Sequence, residues 1–231
     1  MKQFTRTIFS FFLTFFVLML MSDFVQAQSP ILIINLDGNA NSGPVIETAI
    51  VNNGLSADYV TSFPTSLSGY STIFVCLGVY NNNVALSATE GSDLASFVNA
   101  GGSIYMEGGD TWAYDPATLV HPLFNINGLD DGSNDLSFIV GQAGTLSEGI
   151  SFNYYGDNSY IDQIEPISPA VALFGNTPTF YDCAVIHEAA AYKTIGASFE
   201  FGGLEDDTIS GSTKNLLMEK YLQFFDLLAY N

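Results

Sequence analysis

Apolar and polar positions alternate along the first half of the chain in blocks that predict strands followed by helices. Four apolar-rich segments have the length of strands, and the first is a continuous apolar run of the kind found in strands buried on both faces. These segments lie at residues 31–36, 57–63, 71–77 and 103–107. Helical spacing of apolar residues follows Pro44 and, later, the capping box Ser87-Ala88-Thr89-Glu90. This order predicts an α/β fold, a mainly parallel sheet with helices on both faces.

The pattern changes around residues 116–180. Gly, Asn, Asp and Ser are frequent there, and short apolar runs are separated by turn residues. We interpret this region as a β-rich insertion or edge extension of the same domain. Strand patterns return at residues 183–186 and 194–201, where the α/β rhythm is expected to resume, and a last helix begins near Thr213.

Residues 1–27 have the parts of a cleavable signal peptide. A positively charged start precedes an apolar run at residues 8–21, and Val25-Gln26-Ala27 presents small residues to a signal peptidase. The run is shorter than the roughly 20 residues that span a bilayer, so an uncleaved anchor is the weaker alternative. We therefore expect a signal peptide at 1–27, a single domain at 28–231, and export to the periplasm or the cell exterior.

Charge excludes two classes of partner. Removing residues 1–27 takes Lys2, Arg6 and Asp23 from a chain with 5 basic and 24 acidic residues, which leaves 3 basic and 23 acidic. Such a surface repels the phosphates of nucleic acids and anionic membranes. We expect no nucleic-acid partner, no membrane contact beyond the signal peptide and no cofactor. A glycan or a protein ligand is compatible with this charge, and the sequence does not fix the oligomeric state.

Two segments resemble the class I glutamine amidotransferases. Residues 69–75 resemble the strand before that family's glycine-rich loop, and residues 97–105 resemble the helix end and strand before its nucleophile elbow. The elbow Tyr-Met-Glu-Gly-Gly-Asp at 105–110 and the strand at 194–204 are similar to those of uncharacterised secreted bacterial modules. The resemblance implies a flavodoxin-like, amidotransferase-like fold.

The catalytic triad of that family is not matched. Glu107 stands where the family has its cysteine nucleophile, and Ser198-Phe199-Glu200-Phe201 stands where a histidine is expected. An amidotransferase reaction is therefore not expected.

The predicted ligand crevice lies where parallel strands end, which is where open α/β sheets bind their ligands. Glu107 and Asp110, beside aromatic residues, have the chemistry to hold a sugar, or to act as acid and base if burial raises the pKa of one carboxyl. The alternative is that Glu107 only caps backbone amides in the turn that follows it. The proposed crevice residues are Asp37, Gly78, Glu107, Gly109, Asp110 and Trp112.

Other candidate sites each have an ordinary structural alternative. Two loops place oxygen ligands close together, as calcium sites do, although such clusters are also common turn chemistry. Cys76 and Cys183 either form a disulfide or pack separately in the core, and Cys76 is a candidate reactive thiol. His187-Glu188 lacks the second histidine of a zinc-protease helix. The calcium candidates are Asp37, Asn39, Asn41, Asp130, Asp131 and Asp135.

These observations favour three functions. The first is an exported, non-catalytic module with the amidotransferase-like fold that acts in binding or as an accessory protein. The second is a hydrolase, on carbohydrate for example, that uses Glu107 and Asp110. The third is a structural module of a cell-surface assembly.

Overall fold

A computed structural model describes residues 29–230, so the predicted signal peptide at 1–27 lies outside the described residues. Within this range eleven strands form one sheet with the order β2-β1-β3-β4-β11-β10-β9-β6-β7, and β5 and β8 join it through β10. The strands are β1 Ile31–Asn35, β2 Asp58–Val60, β3 Thr72–Cys76, β4 Ser103–Glu107, β5 Ile126–Asp130, β6 Phe138–Gly141, β7 Ser151–Asn153, β8 Gln163–Pro166, β9 Val171–Thr177, β10 Tyr181–Glu188 and β11 Lys193–Ala197.

Strands β1, β3 and β4 form the buried centre of a parallel segment. Every residue of these three strands is buried, which explains why their sequences are apolar without alternation. Side chains still point to opposite faces in turn. Ile31 and Ile33 belong to one hydrophobic cluster, whereas Leu32 and Ile34 belong to the cluster on the other face.

Three helices lie within the described residues: α1 Gly43–Asn52, α2 Ala88–Asn99 and α3 Lys214–Phe224. Helices α1 and α3 contribute Ile50 and Leu217 to the first cluster. Helix α2 contributes Leu94 to the second. No helix in residues 29–230 is long and apolar enough to cross a membrane.

The predicted fold class, a mainly parallel flavodoxin-like sheet with helices on both faces, is wrong. Of the ten strand pairings in residues 29–230, six are antiparallel, and parallel pairing is confined to β1, β2, β3, β4 and β11. Residues 116–180 supply β5 to β9, which extend the sheet. The link between β10 and β11 is a short turn at 189–192, too short for the crossover that parallel strands require. The α/β rhythm therefore does not resume after residue 180.

Both cysteines are buried, and they do not form a disulfide. Cys76 ends β3 and Cys183 lies in β10, and each side chain packs in the first hydrophobic cluster. Burial raises the pKa of both thiols well above the usual range, which suppresses the reactive thiolate. The structure therefore supports the core-packing alternative for these residues.

Helix α2 depends on its capping box, and removing the cap is expected to destabilise the protein. The Ser87 hydroxyl accepts the Glu90 N–H at 3.3 Å, and the Glu90 carboxylate accepts the Ser87 N–H at 2.7 Å. We expect Ser87→Ala to lower the free energy of unfolding by about 1 kcal/mol in urea titrations. Ser96→Ala, at an exposed position of the same helix, is the control and is expected to change it by less than about 0.5 kcal/mol. Equal effects of the two substitutions would contradict the capping role.

Candidate functional site

Parallel pairing brings the ends of four strands to one edge of the sheet. Strands β1, β3, β4 and β11 run in the same direction, and the segments that follow β1, β3 and β4 carry Asp37, Gly78 and Asp110. Gly78 has a φ of 81°, and a Cβ on it would lie 2.8 Å from the Asp37 carboxylate. Only glycine fits this close approach, which places two of the predicted crevice residues in contact.

Glu107, the last residue of β4, has a fully buried side chain. Its carboxylate accepts a hydrogen bond from the Tyr105 hydroxyl at 2.6 Å and one from the Phe201 N–H at 2.8 Å. Burial raises the pKa of Glu107 to about 7, although hydrogen bonds from Ser42, Tyr105 and Phe201 act in the opposite direction. Glu107 therefore joins β4 to the chain after β11, and its backbone partner is not in the glycine turn that follows it.

A second buried carboxyl lies close to Glu107. Glu200 is fully buried and its carboxylate accepts a hydrogen bond from the Asn41 side chain at 3.4 Å. Burial, followed by the charges of Glu107 and Asp37, raises the pKa of Glu200 to about 8. We call Asp37, Glu107, Asp157 and Glu200 the inner acidic cluster. No lysine lies among its partners in residues 29–230.

The loop after β1 is held by hydrogen bonds that account for its polar residues. The Asp37 carboxylate accepts the N–H groups of Asn39 at 3.1 Å and Asn41 at 2.7 Å. The side-chain amides of Asn39 and Asn41 donate to the Asp157 carboxylate. Asp37, Asn39 and Asn41 thus form a turn stabilised by its own side chains.

The other calcium candidates are spread over separate contacts. Asp130 ends β5, Asp131 lines a pocket described below, and Asp135 accepts a hydrogen bond from the Tyr181 hydroxyl at 3.1 Å. His187 lies in β10 and contacts the Leu123 carbonyl. In residues 29–230 no group of three or more His, Cys, Asp or Glu side chains is arranged to hold a metal ion.

Asp110 lies in a different environment from Glu107. It is 3 % exposed, and one carboxylate oxygen accepts a hydrogen bond from the Asn83 side chain at 2.6 Å. The other oxygen has no hydrogen-bond partner among residues 29–230. Burial, followed by the charges of Asp115 and Asp131, raises the pKa of Asp110 to about 6. Asp110 therefore keeps one free acceptor oxygen in a strongly negative setting.

Asp110 lines a pocket of about 220 Å³, and three tyrosines surround it. The rings of Tyr80 and Tyr160 meet edge to face at 5.5 Å between centroids, and all three tyrosines are exposed. Tyr160 has a φ of 56°, which lies in the left-handed region that bulky residues rarely adopt. We call this cavity the tyrosine pocket, and it is lined by Tyr80, Asp110, Tyr114, Asp131 and Tyr160.

Trp112 does not line the tyrosine pocket. Its indole N–H donates to the Ala197 carbonyl at 2.8 Å, and its ring packs against Phe124 with centroids 5.0 Å apart. The backbone N–H groups of Trp112 and Ala113 donate to the buried Asp162 carboxylate at 2.7 and 2.8 Å. Trp112 therefore fixes the loop after β4, and the aromatic residue that reaches the pocket is Tyr114.

Four of the six predicted crevice residues divide between two places, Gly109 links these places, and Trp112 belongs to neither. Asp37, Gly78 and Glu107 belong to the inner acidic cluster or lie against it, whereas Asp110 lines the tyrosine pocket. Gly109 links the two regions, because its N–H donates to the Gly78 carbonyl and its carbonyl accepts the Asp162 N–H. Sequence reasoning missed four residues that shape the pocket. They are Tyr80, Asp131, Tyr160 and Asp162. Of these, Asp131 was predicted only as a calcium ligand and not as part of the crevice.

Solved structures with a similar fold include two β-galactosidases. The β-galactosidase from Rahnella sp. R3 aligns with a TM-score of 0.59 and 14 % identity, covering 87 % of this chain and 32 % of that chain. Gan42B, a GH42 β-galactosidase from G. stearothermophilus, aligns with a TM-score of 0.61 and 12 % identity, covering 87 % of this chain and 30 % of that chain. The chain thus spans about a third of the length of either enzyme.

A third similar structure is a whole chain of comparable size. The cytoplasmic protein STM3548 from Salmonella typhimurium aligns with a TM-score of 0.61 and 14 % identity, covering 84 % of this chain and 98 % of that chain. At these identities the likeness shows the fold alone. No protein-family model matches the sequence, and no curated protein matches it.

These findings overturn the resemblance to class I glutamine amidotransferases. The similar structures include β-galactosidases, and the sheet is mixed rather than flavodoxin-like. The similarity at residues 69–75 and 97–105 reflects a buried strand and a glycine-terminated helix, which many sheets contain. Assignment to amidotransferases, including the secreted modules with a Tyr-Met-Glu-Gly-Gly-Asp elbow, is therefore wrong.

The inner acidic cluster predicts that stability falls as pH rises. Glu107 and Glu200 have an ordinary pKa of 4.5, raised by folding to about 7 and about 8. The folded protein therefore holds protons that the unfolded chain has released. The free energy of unfolding is highest below the unfolded pKa and decreases between about pH 5 and about pH 8. Urea titrations across this range measure the decrease.

Glu200→Gln is expected to make the pH dependence shallower, because the amide cannot titrate. The control is Glu205→Gln at an exposed position, which is expected to keep the wild-type slope. A free energy of unfolding that stays constant or increases over the same range would contradict the assignment.

Proposed function

We propose that the protein binds carbohydrate and that the tyrosine pocket is its saccharide site. The observation that carries the proposal is the combination of exposed tyrosine rings with a carboxylate that keeps an unpartnered oxygen. Aromatic faces pack on the apolar C–H face of a sugar ring, and carboxylates accept hydrogen bonds from its hydroxyls. Binding sites of this type join an apolar wall to a few placed polar groups.

The volume of the pocket suits a small group. About 220 Å³ is below the range of roughly 300–1,000 Å³ that holds drug-sized ligands. A single sugar unit of a longer glycan would therefore occupy it, with the rest of the chain in solvent. The β-galactosidases among the similar structures support a carbohydrate-related role, although this chain spans about a third of either.

Hydrolysis at the same pocket is a second proposal, favoured by the raised pKa of Asp110 near 6. In this mechanism the Asp110 carboxyl gives its proton to the glycosidic oxygen as the bond to the anomeric carbon breaks. A water molecule attacks that carbon and passes its proton to Asp131. Asp131 replaces Glu107 as the second carboxyl of the predicted pair, because Glu107 is fully buried and does not line the pocket.

We also propose that the protein acts outside the cytoplasm, as the leader at 1–27 predicts. An export assay checks this directly. Fractionation of cells that express the full chain should find a shortened protein outside the inner membrane, and a full-length cytoplasmic product would contradict it.

Binding to a glycan array of gluco-, galacto- and manno-oligosaccharides tests the main proposal. Tyr80→Ala and Tyr114→Ala are each expected to weaken the affinity for a bound glycan about tenfold, because each removes an aromatic wall. Calorimetry measures the loss. Tyr155→Ala is the control, since Tyr155 is also an exposed tyrosine and lies outside the pocket lining. Unchanged affinity in both pocket variants would reject this site.

The hydrolysis proposal has its own test. Release of reducing sugar from a bound glycan should disappear in Asp110→Asn while glycan binding persists. Hydrolysis that survives this substitution would remove Asp110 from the mechanism, and binding without any turnover by the wild type would leave the protein as a binding module.

A further inference from the structure

The tyrosine pocket has an excess of negative charge with no cation to balance it. Asp110 and Asp131 line it, and the charges of Asp115 and Asp131 both act on Asp110. The basic side chains of residues 29–230, apart from histidine, are three lysines, and none of them lines the pocket. Two of these lysines are engaged elsewhere, Lys193 with Glu188 and Asp226 and Lys214 with Asp206.

The free oxygen of Asp110 is a separate observation that points to a ligand. The side chain is almost completely buried at 3 % exposure, and its Oδ1 atom has no partner among the described residues. A buried carboxylate oxygen is costly to leave unpaired, so a donor from a ligand would be strongly stabilising there. Asp131 also has an unpartnered carboxylate oxygen at the same pocket.

The aromatic walls of the pocket also favour a positively charged ligand. Tyr80, Tyr114 and Tyr160 surround the carboxylates on the lining of one small cavity. The negative face of an aromatic ring attracts an ammonium group, and several rings together form the cage that binds such groups in other proteins. Rings and carboxylates therefore both favour a positive ligand and disfavour an anionic one.

We propose that the tyrosine pocket selects an amino sugar with a free, protonated amine, so that the ammonium group contacts Asp110 and Asp131 within the tyrosine cage. This inference rests on the proposed function, because it names the class of sugar that the same site takes. Neutral sugars lack the charge that the carboxylates require, and uronic acids would be repelled by them.

Two oligosaccharides that differ only in charge test the inference. A β-1,4-linked glucosamine tetramer carries free amines, and its N-acetylated counterpart has the same linkage and length but is neutral. Calorimetry at a pH above about 6, where the Asp110 carboxyl is ionised, and below the pKa of the sugar amine should give an affinity at least about tenfold higher for the free-amine tetramer. The difference should shrink as salt is added, because charge attraction between partly exposed groups is screened.

Substitution of Asp131 tests whether the higher affinity for the free-amine tetramer depends on this pocket. Asp131 is half-buried, and Asp131→Asn should narrow the difference between the two tetramers while the melting temperature confirms a folded protein. Asp93→Asn, which removes an exposed carboxylate on α2 away from the tyrosine pocket, is the control and should keep the full difference.

The outcomes separate the two proposals. Equal affinity for both tetramers, lost in Tyr80→Ala, would overturn the amino-sugar inference and leave the carbohydrate site in place. A preference for the free-amine tetramer that persists unchanged in Asp131→Asn and in Tyr80→Ala would place the selection outside this pocket and overturn the inference. Absence of binding to both tetramers and to every glycan on the array would reject the proposed function and the inference together.

Discussion

The buried carboxyl of Glu107 connects the parts of the molecule on which the site depends. It ends β4 in the centre of the sheet, and it holds the chain after β11 through the Phe201 N–H. Its other partner, Tyr105, packs its ring against Phe74 of β3 and Tyr221 of α3. A carboxyl in this position fixes the sheet, the last helix and the turn after the last strand relative to one another, so the strand ends that carry polar residues are held in place.

Burial of this carboxyl next to Glu200 has an electrostatic consequence. Two carboxylates without a nearby cation cannot both be ionised at low cost in a desolvated site, and retention of protons is the cheaper solution. Residues 29–230 contain no arginine for pairing, because the only arginine of the sequence is Arg6. Asparagine side chains take over the role of donors instead. Asn82 donates to Asp157 and Asn83 donates to Asp110, so one short loop joins the inner acidic cluster to the tyrosine pocket.

The sequence predicted local features better than the arrangement of the sheet. Buried strands show as apolar runs, and the capping box at Ser87 shows directly as residue types, so β1, β3, β4 and α2 could be located. Strand direction has no such signal. The antiparallel half depends on the short turn at 189–192 and on pairings between distant segments, such as β6 with β9.

The site shows the same limit. Asp110 was predicted because it follows a buried strand, which is a local pattern. Tyr160 and Asp162 are about 50 positions further along the chain and have no neighbouring motif, so only the folded structure brings them to Asp110. Trp112 was predicted as an aromatic neighbour of Glu107 and Asp110, but its ring packs inward and its indole N–H donates to the Ala197 carbonyl.

Some carboxylates near the tyrosine pocket hold its walls in position, whereas another contributes only its charge. The hydrogen bonds distinguish the two groups. Asp162 holds the backbone before Tyr114 and lies two residues after Tyr160, while Asp110 holds Asn83 in the loop that begins near Tyr80. These two carboxylates therefore position the aromatic walls as well as contribute charge, and truncation of either side chain to alanine would disturb the shape of the cavity. Asp131 makes no side-chain hydrogen bond within residues 29–230, so its carboxylate does not hold a neighbouring segment of the chain in place. Substitution of Asp131 therefore changes the charge of the pocket with less effect on its shape than substitution of Asp110 or Asp162.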